Sequence, residues 1–287
     1  MVPISVKARD GFSISATMFA PETCSKKVLL INSATGVKQQ VYYAFSRYMA
    51  SHGFTVITYD YRGVGQSKPA SLRHFKATMG DWGSLDYGCL TEFIDNRFPG
   101  YRKFCLGHSV GALILGMNSD SRQFEKFVFV GTQKAFVGNL GWKTAALGYL
   151  GFAFLLPVTT ALWGYFPAHR FGLGESLPKG SAHDWRTLVI SRKSTNKLLE
   201  EHAENTAPHL NQEVLVIRAE DDTWLTDRAV RKLMTETYPG MKPTYRLLHT
   251  SESDRGEIGH INFFRSYNRK LWQVVPDYLE QDEAINN

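Results

Sequence analysis

The chain has 287 residues, 43% of them apolar and 21% charged, which is enough for one sizeable α/β domain with an insertion or for two small domains. Its formal charge of +6 is spread thinly, with no basic run interleaved with aromatics, and this argues against a nucleic-acid partner. Cys24, Cys89 and Cys105 have no C-x-x-C spacing and suggest neither a disulfide nor a zinc framework, so a cytoplasmic protein without metal or organic cofactor is expected.

Residues 1–9 lack the basic-then-apolar pattern of a signal peptide. Residues 12–19 alternate apolar and small polar side chains, the period of a half-exposed antiparallel strand. Residues 28–31 are continuously apolar, as a strand buried on both faces requires, and run into the small-residue loop Asn32-Ser33-Ala34-Thr35-Gly36. A helix is expected over 39–51, closed by Gly53, and then a strand over 54–59 that ends in the glycine loop D-Y-R-G-V-G-Q-S at 60–67. A helix over 81–97 leads to a short apolar strand at 103–106, a helix over 112–117 and a further strand over 126–130. Strands alternating with helices predict a mostly parallel sheet with helices on both faces.

That rhythm stops over 132–207, a stretch rich in Trp, Phe, Gly and Leu. Because it follows a core strand directly and is not polar, it reads as an inserted helical cap between two parts of the core, 1–131 and 208–287. Residues 144–168 contain no Asp, Glu, Lys or Arg, long enough to cross a bilayer. Pro157 lies in the middle, and the candidate site residues fall on either side of the segment, so a buried or interfacial helix is expected there. The core resumes with a strand over 214–219 running into Glu220-Asp221-Asp222, a helix over 226–238 and a strand over 244–248. The loop 251–259 then leads to His260 and a final helix over 262–280.

The chemistry centres on Gly107-His108-Ser109-Val110-Gly111, a G-x-S-x-G run between a strand and a helix. A serine on so sharp a turn takes a strained backbone, and side chains two residues to either side would collide with it; glycine at 107 and 111 removes them. Ser109 is thereby the candidate nucleophile, and the Val110 N–H points where an oxyanion would form. An acid at a later strand end and a histidine in a late loop follow, in the order Ser…Asp…His.

These pieces together resemble the α/β-hydrolase superfamily: the G-H-S-V-G elbow, the 60–67 glycine loop, E-D-D-T-W at 220–224 and I-G-H-I-N-F-F-R at 258–265. A-T-G-V-K-Q-Q at 34–40 and G-Y-F-P at 164–167 resemble bacterial predicted α/β hydrolases of the serine aminopeptidase and monoacylglycerol-lipase-like branch. The resemblance implies an α/β-hydrolase fold over essentially the whole chain, with His260 as the general base. His249, which ends a strand, is the rival base. The family's carboxylate position, with Ala219 in place of the usual glycine, selects Asp222, with Asp221 as the alternative. For the second oxyanion donor the resemblance selects the Thr35 N–H, with Ala34 next to it, although Ser33-Ala34 replaces the family's usual His-Gly. His108 is expected to support the elbow, and Arg62 to bond loop carbonyls or a carboxylate.

What the resemblance implies about activity is cleavage of a carboxylic ester or related acyl bond through an acyl-enzyme. The partner is then a small acyl substrate, apolar in keeping with the cap, with transient contact between the cap and a membrane surface as a further expectation. A thioesterase or acyltransferase using the same triad is the alternative within enzymes. A binding protein that keeps the fold without catalysis is the alternative outside them.

Overall fold

Only a strand covered on both faces can be apolar at every position, and the continuous apolar runs do become the inner strands of one sheet. The computed structural model describes residues 1–23, 25–202 and 205–281, which leaves Cys24 outside the described residues. The strands are β1 (Val2–Lys7), β2 (Ser13–Phe19), β3 (Lys27–Asn32), β4 (Phe54–Tyr59), β5 (Arg102–His108) and β6 (Lys126–Val130). They continue with the two-residue β7 (Tyr165–Phe166) and β8 (Leu177–Pro178), then β9 (Glu213–Ala219) and β10 (Lys242–Leu248). Eight of them form a sheet in the order β1-β2-β4-β3-β5-β6-β9-β10, antiparallel across β1, β2 and β4 and parallel from there on. The parallel crossovers put helices on both faces. One apolar core gathers around Trp82, Tyr87 and Phe127, the other around Phe45, Phe104, Phe264 and Trp272.

Three local expectations are corrected. Residues 2–7, given no element in the sequence reading, form the edge strand β1, which tolerates Pro3 because an edge has free N–H positions. The helix expected over 112–117 is instead two 3-10 turns, Ser109–Ala112 and Ile114–Met117. The buried Tyr238 hydroxyl binds the Ala112 and Leu113 carbonyls at 2.6 and 3.2 Å, which an α-helix would use itself. The final helix is broken into Asn262–Phe264, Ser266–Gln273 and Val274–Glu280. There the Asn268 amide donates to the Glu257 and Asn262 carbonyls and turns the backbone out of helical geometry.

Between β6 and β9 the chain forms a 22-residue helix, Trp142–Trp163, interrupted by one widened turn at Gly151–Leu155, then the β7–β8 hairpin and the helices Lys179–Ile190 and Thr195–His202. By length and composition Trp142–Trp163 could cross a membrane. Its inner side packs on the protein: Phe152 meets Trp185 edge-on at 5.0 Å, and Leu156, Thr159 and Thr160 are buried. The segment is rooted at both sides of the β5 end. At one side Thr226 donates to the Asn139 carbonyl at 2.9 Å and Gln133 donates to the Trp224 carbonyl. At the other side the Glu175 N–H donates to the Gly36 carbonyl at 2.8 Å, and Pro178 fills the space over Gly63 that a Cβ would need.

Candidate active site

At the C-terminal end of β5 the chain reverses into a 3-10 turn at Ser109, whose φ of +53° is one that residues other than glycine seldom adopt. The flanking glycines are there for a measurable reason. A Cβ on Gly107 would lie 2.5 Å from the Ala112 Cα, and one on Gly111 would lie 2.3 Å from the Asn32 carbonyl oxygen. Both obstacles are backbone and cannot swing aside. The elbow is latched by the Thr132 hydroxyl, which donates to the Ser109 carbonyl at 3.0 Å, and by the Asn32 amide, which donates to the Gly111 carbonyl at 3.1 Å.

Three successive acids leave β9 and each takes a different part of the loop that carries His260. Glu220 binds His249 Nδ1 at 2.8 Å and accepts from the Thr250 amide and hydroxyl; those bonds hold its carboxyl down at about 2. Asp221 accepts the Ile258 and Gly259 amides, both at 2.9 Å, and so fixes the backbone just before His260. Asp222 pairs with His260 Nδ1 at 2.7 Å through Oδ2 and accepts the Trp224 amide at 3.0 Å through Oδ1. Its side chain is 1% exposed and that of His260 23%. A carboxylate on Nδ1 fixes the tautomer that leaves Nε2 with its lone pair. Gly131, just after β6, takes φ +60°, a backbone that favours glycine, and its Cα lies beside the His108 and His260 rings. Ser109 is partly exposed, and its hydroxyl is not hydrogen-bonded to the His260 ring; such bonds commonly tighten only when substrate arrives. His249, the rival base, is instead tied to Glu220.

A buried hydrogen-bond chain that the sequence did not announce runs behind the elbow. The Ala34 N–H donates to the Tyr42 oxygen at 2.9 Å, and Tyr42 O–H donates to His108 Nδ1 at 2.8 Å. His108 Nε2–H donates to the His260 carbonyl at 2.9 Å. Because a carbonyl can only accept, Nε2 of His108 carries a proton, and in the neutral imidazole Nδ1 then accepts from Tyr42, which sets the direction of the whole chain. Burial, with His260 close by, pushes its pKa well below the usual histidine value. His108 thus joins the 33–36 loop after β3 to the loop that carries His260.

The same chain bears on the loop donor. With the Ala34 amide taken, the half-buried Thr35 stands at the corner of a turn closed by the Val37 N–H on the Ala34 carbonyl at 3.1 Å. Among the described residues the Thr35 N–H has no hydrogen-bond partner. Val110 is the second residue of the 3-10 turn Ser109–Ala112, within the first turn, where an N–H has no helical acceptor. Arg62 lies elsewhere: it forms a buried pair with Asp86 at 2.6 Å and reaches Asp10 at 2.7 Å, so it scaffolds the glycine loop. A cleft of about 510 Å³ lies between the stretch after the 60–67 glycine loop and the β7–β8 hairpin, lined by Lys68, Leu72, Tyr165, His169, Glu175 and Ser176 among others. Among the described residues no cluster of His, Cys, Asp or Glu could hold a metal ion.

Sheet order, elbow and strand-end acids together define a protein of the α/β-hydrolase fold. Residues 23–138 match the family described as serine aminopeptidase, S33. The fold is similar over 98% of this chain to a soluble variant of monoglyceride lipase from Saccharomyces cerevisiae, with TM-score 0.65, 12% identity and 96% of that chain covered. It is similar to an esterase from Pyrococcus furiosus, with TM-score 0.60, 14% identity, 98% of this chain and 92% of that one covered. An esterase from Exiguobacterium antarcticum matches with TM-score 0.58 and 16% identity over 97% of this chain and 99% of its own. No curated protein matches the sequence.

Proposed function

We propose that the chain is a serine hydrolase that cleaves a carboxylic ester of a small, apolar substrate. In this reading Ser109 Oγ attacks the ester carbonyl while His260 Nε2 takes its proton, and the negative oxygen is met by the Thr35 and Val110 N–H groups. The C–O bond then breaks, and the alcohol leaves with the proton held by His260. Water, deprotonated by His260, attacks the acyl-Ser109 ester and releases the acid and the free serine. Asp222 holds the tautomer and stabilises the imidazolium. The observation that carries the reading is the strained Ser109, with φ +53°, at the end of the strand beside the Asp222–His260 pair.

Hydrolysis of an ester is favoured over release of an N-terminal amino acid by the state of the acids in the inserted segment. A free substrate amine needs an unengaged carboxylate. Among the described residues of that segment, Glu175 is paired with Lys38, Glu200 with Lys193 and Glu201 with Lys197, while Asp184 is buried and accepts the Met79 amide; Glu204 lies outside the described residues. The deciding assay is pre-steady-state hydrolysis of p-nitrophenyl esters of increasing chain length, alongside an aminoacyl p-nitroanilide. The reading predicts a stoichiometric burst of nitrophenol with the esters and no turnover of the anilide. Anilide turnover would make the protein a peptidase, and no reaction with any substrate would leave a binding protein.

A further inference from the structure

The helix Trp142–Trp163 turns an apolar face to the outside, which an ordinary surface helix covers with charge. Trp142 is 77% exposed, Leu147 74% and Leu162 65%, and Leu150, Phe154 and Val158 continue the same face at steps of three and four residues. The exposed large side chains on this helix amount to an area on the order of 900 Å², against roughly 300–600 Å² for the largest apolar patch on a typical soluble protein. The face carries one charged residue, Lys143, and no acid.

Its ends supply the charge argument. Lys143 lies over the Trp142 ring at 5.5 Å, and Arg170 lies over the Trp163 ring at 5.6 Å. Arg73 packs against Gly164 at the same end. Among the described residues none of these three cations has a carboxylate partner. A tryptophan with a cation at each end of an uncharged apolar stripe suits the headgroup boundary of a bilayer, where the rings sit at the interface and the cations meet lipid phosphates. The inner side, with Phe152 on Trp185 and Thr160 Oγ1 bonded to His183 at 3.2 Å, would have to be stripped off the protein for the helix to span.

We propose that this face seats on an anionic phospholipid surface, with the helix lying in the plane of the interface. The segment bearing it is rooted at Asn139 and at Gly36, on loops to either side of the β5 end that carries Ser109. Seating needs no catalysis, and its failure is separable from failure of the esterase reading.

The test is co-sedimentation of the inactive Ser109→Ala protein with vesicles of phosphatidylcholine containing phosphatidylglycerol, and with vesicles of phosphatidylcholine alone. Strong binding to the mixed vesicles is expected, released by alkaline carbonate. Lys143→Gln with Arg170→Gln is expected to weaken it roughly ten- to thirty-fold. Leu147→Glu with Phe154→Glu is expected to abolish it. In the Ser109 background these exposed substitutions should leave turnover of a short soluble ester unchanged, which also shows that the variants fold. Equal binding to both vesicle types, or none to either, would overturn the proposal. So would carbonate-resistant residence, which means spanning, or a lipid-free dimer lost in Leu147→Glu with Phe154→Glu, which means that a second copy covers the face.

Discussion

Replacing Tyr42 by Phe removes one oxygen and leaves two buried groups without a partner. The Tyr42 side chain is fully buried, and its hydroxyl both accepts the Ala34 N–H and donates to His108 Nδ1. A buried donor or acceptor stranded in this way costs about 1–3 kcal/mol. Some relaxation of the loop offsets part of that, so Tyr42→Phe is expected to lose roughly 2–4 kcal/mol of folding stability. For a chain of this size the melting temperature should fall by roughly 3–7 °C. The Ala34 peptide adjoins Thr35, the proposed oxyanion donor, and His108 holds the His260 carbonyl at 2.9 Å, so the substitution should also lower kcat, by about tenfold, with KM little changed. Urea unfolding and steady-state ester hydrolysis measure the two effects. Tyr48→Phe is the control: its hydroxyl meets Gln273 towards the surface, and its loss should cost under about 1 kcal/mol. A Tyr42→Phe protein within about 0.5 kcal/mol of the parent and with unchanged kcat would refute the chain as an organising element.

Four further outcomes follow from the geometry. Asp222→Asn should keep the fold yet reduce kcat by about 10⁴, because the amide favours the wrong imidazole tautomer. Asp221→Asn should mainly destabilise, by about 1–3 kcal/mol, since it weakens the hold on the Ile258 and Gly259 amides; a melting curve and a rate assay separate the two. Gly111→Ala, whose Cβ would meet the Asn32 carbonyl oxygen at 2.3 Å, should give little soluble folded protein, and normal expression with normal activity would contradict the elbow packing. His108 makes stability depend on pH. Its pKa is depressed in the fold, so below about pH 6.5 the unfolded chain binds a proton that the folded one refuses. The stability it contributes is complete above that pH and is lost as pH falls through the window beneath it, by up to about 1.4 kcal/mol per pH unit. His108→Gln, which can accept from Tyr42 and donate to the His260 carbonyl, should flatten this slope in urea midpoints measured from pH 7 to about pH 5.

The inner strands were legible because burial on both faces leaves an unbroken apolar run, and the elbow because steric exclusion writes glycine at 107 and 111. Element order then pointed to the strand-end acids and the late histidine. What stayed hidden depends on contacts distant in sequence. Nothing around residue 42 announces that its hydroxyl bridges the Ala34 amide and His108, 66 residues further on. The 3-10 turns after Ser109 could not be foreseen either, because the competitor for their carbonyls is Tyr238, 126 residues from Ala112. Asp221 and Asp222 look alike in sequence, and only the fold sends one to backbone amides and the other to the imidazole. The edge strand β1 was missed since its residues are mostly exposed and carry little apolar signal.

The central claim is that Ser109 is a nucleophile activated by His260. Its most direct test is intact-mass analysis after exposure to a fluorophosphonate, with peptide mapping of the adduct, on the parent protein, Ser109→Ala and His260→Ala. The account predicts one phosphonyl adduct on Ser109 in the parent, none in Ser109→Ala and strongly slowed labelling in His260→Ala. A folded parent protein that takes no label, or an adduct mapped to another residue, would contradict it.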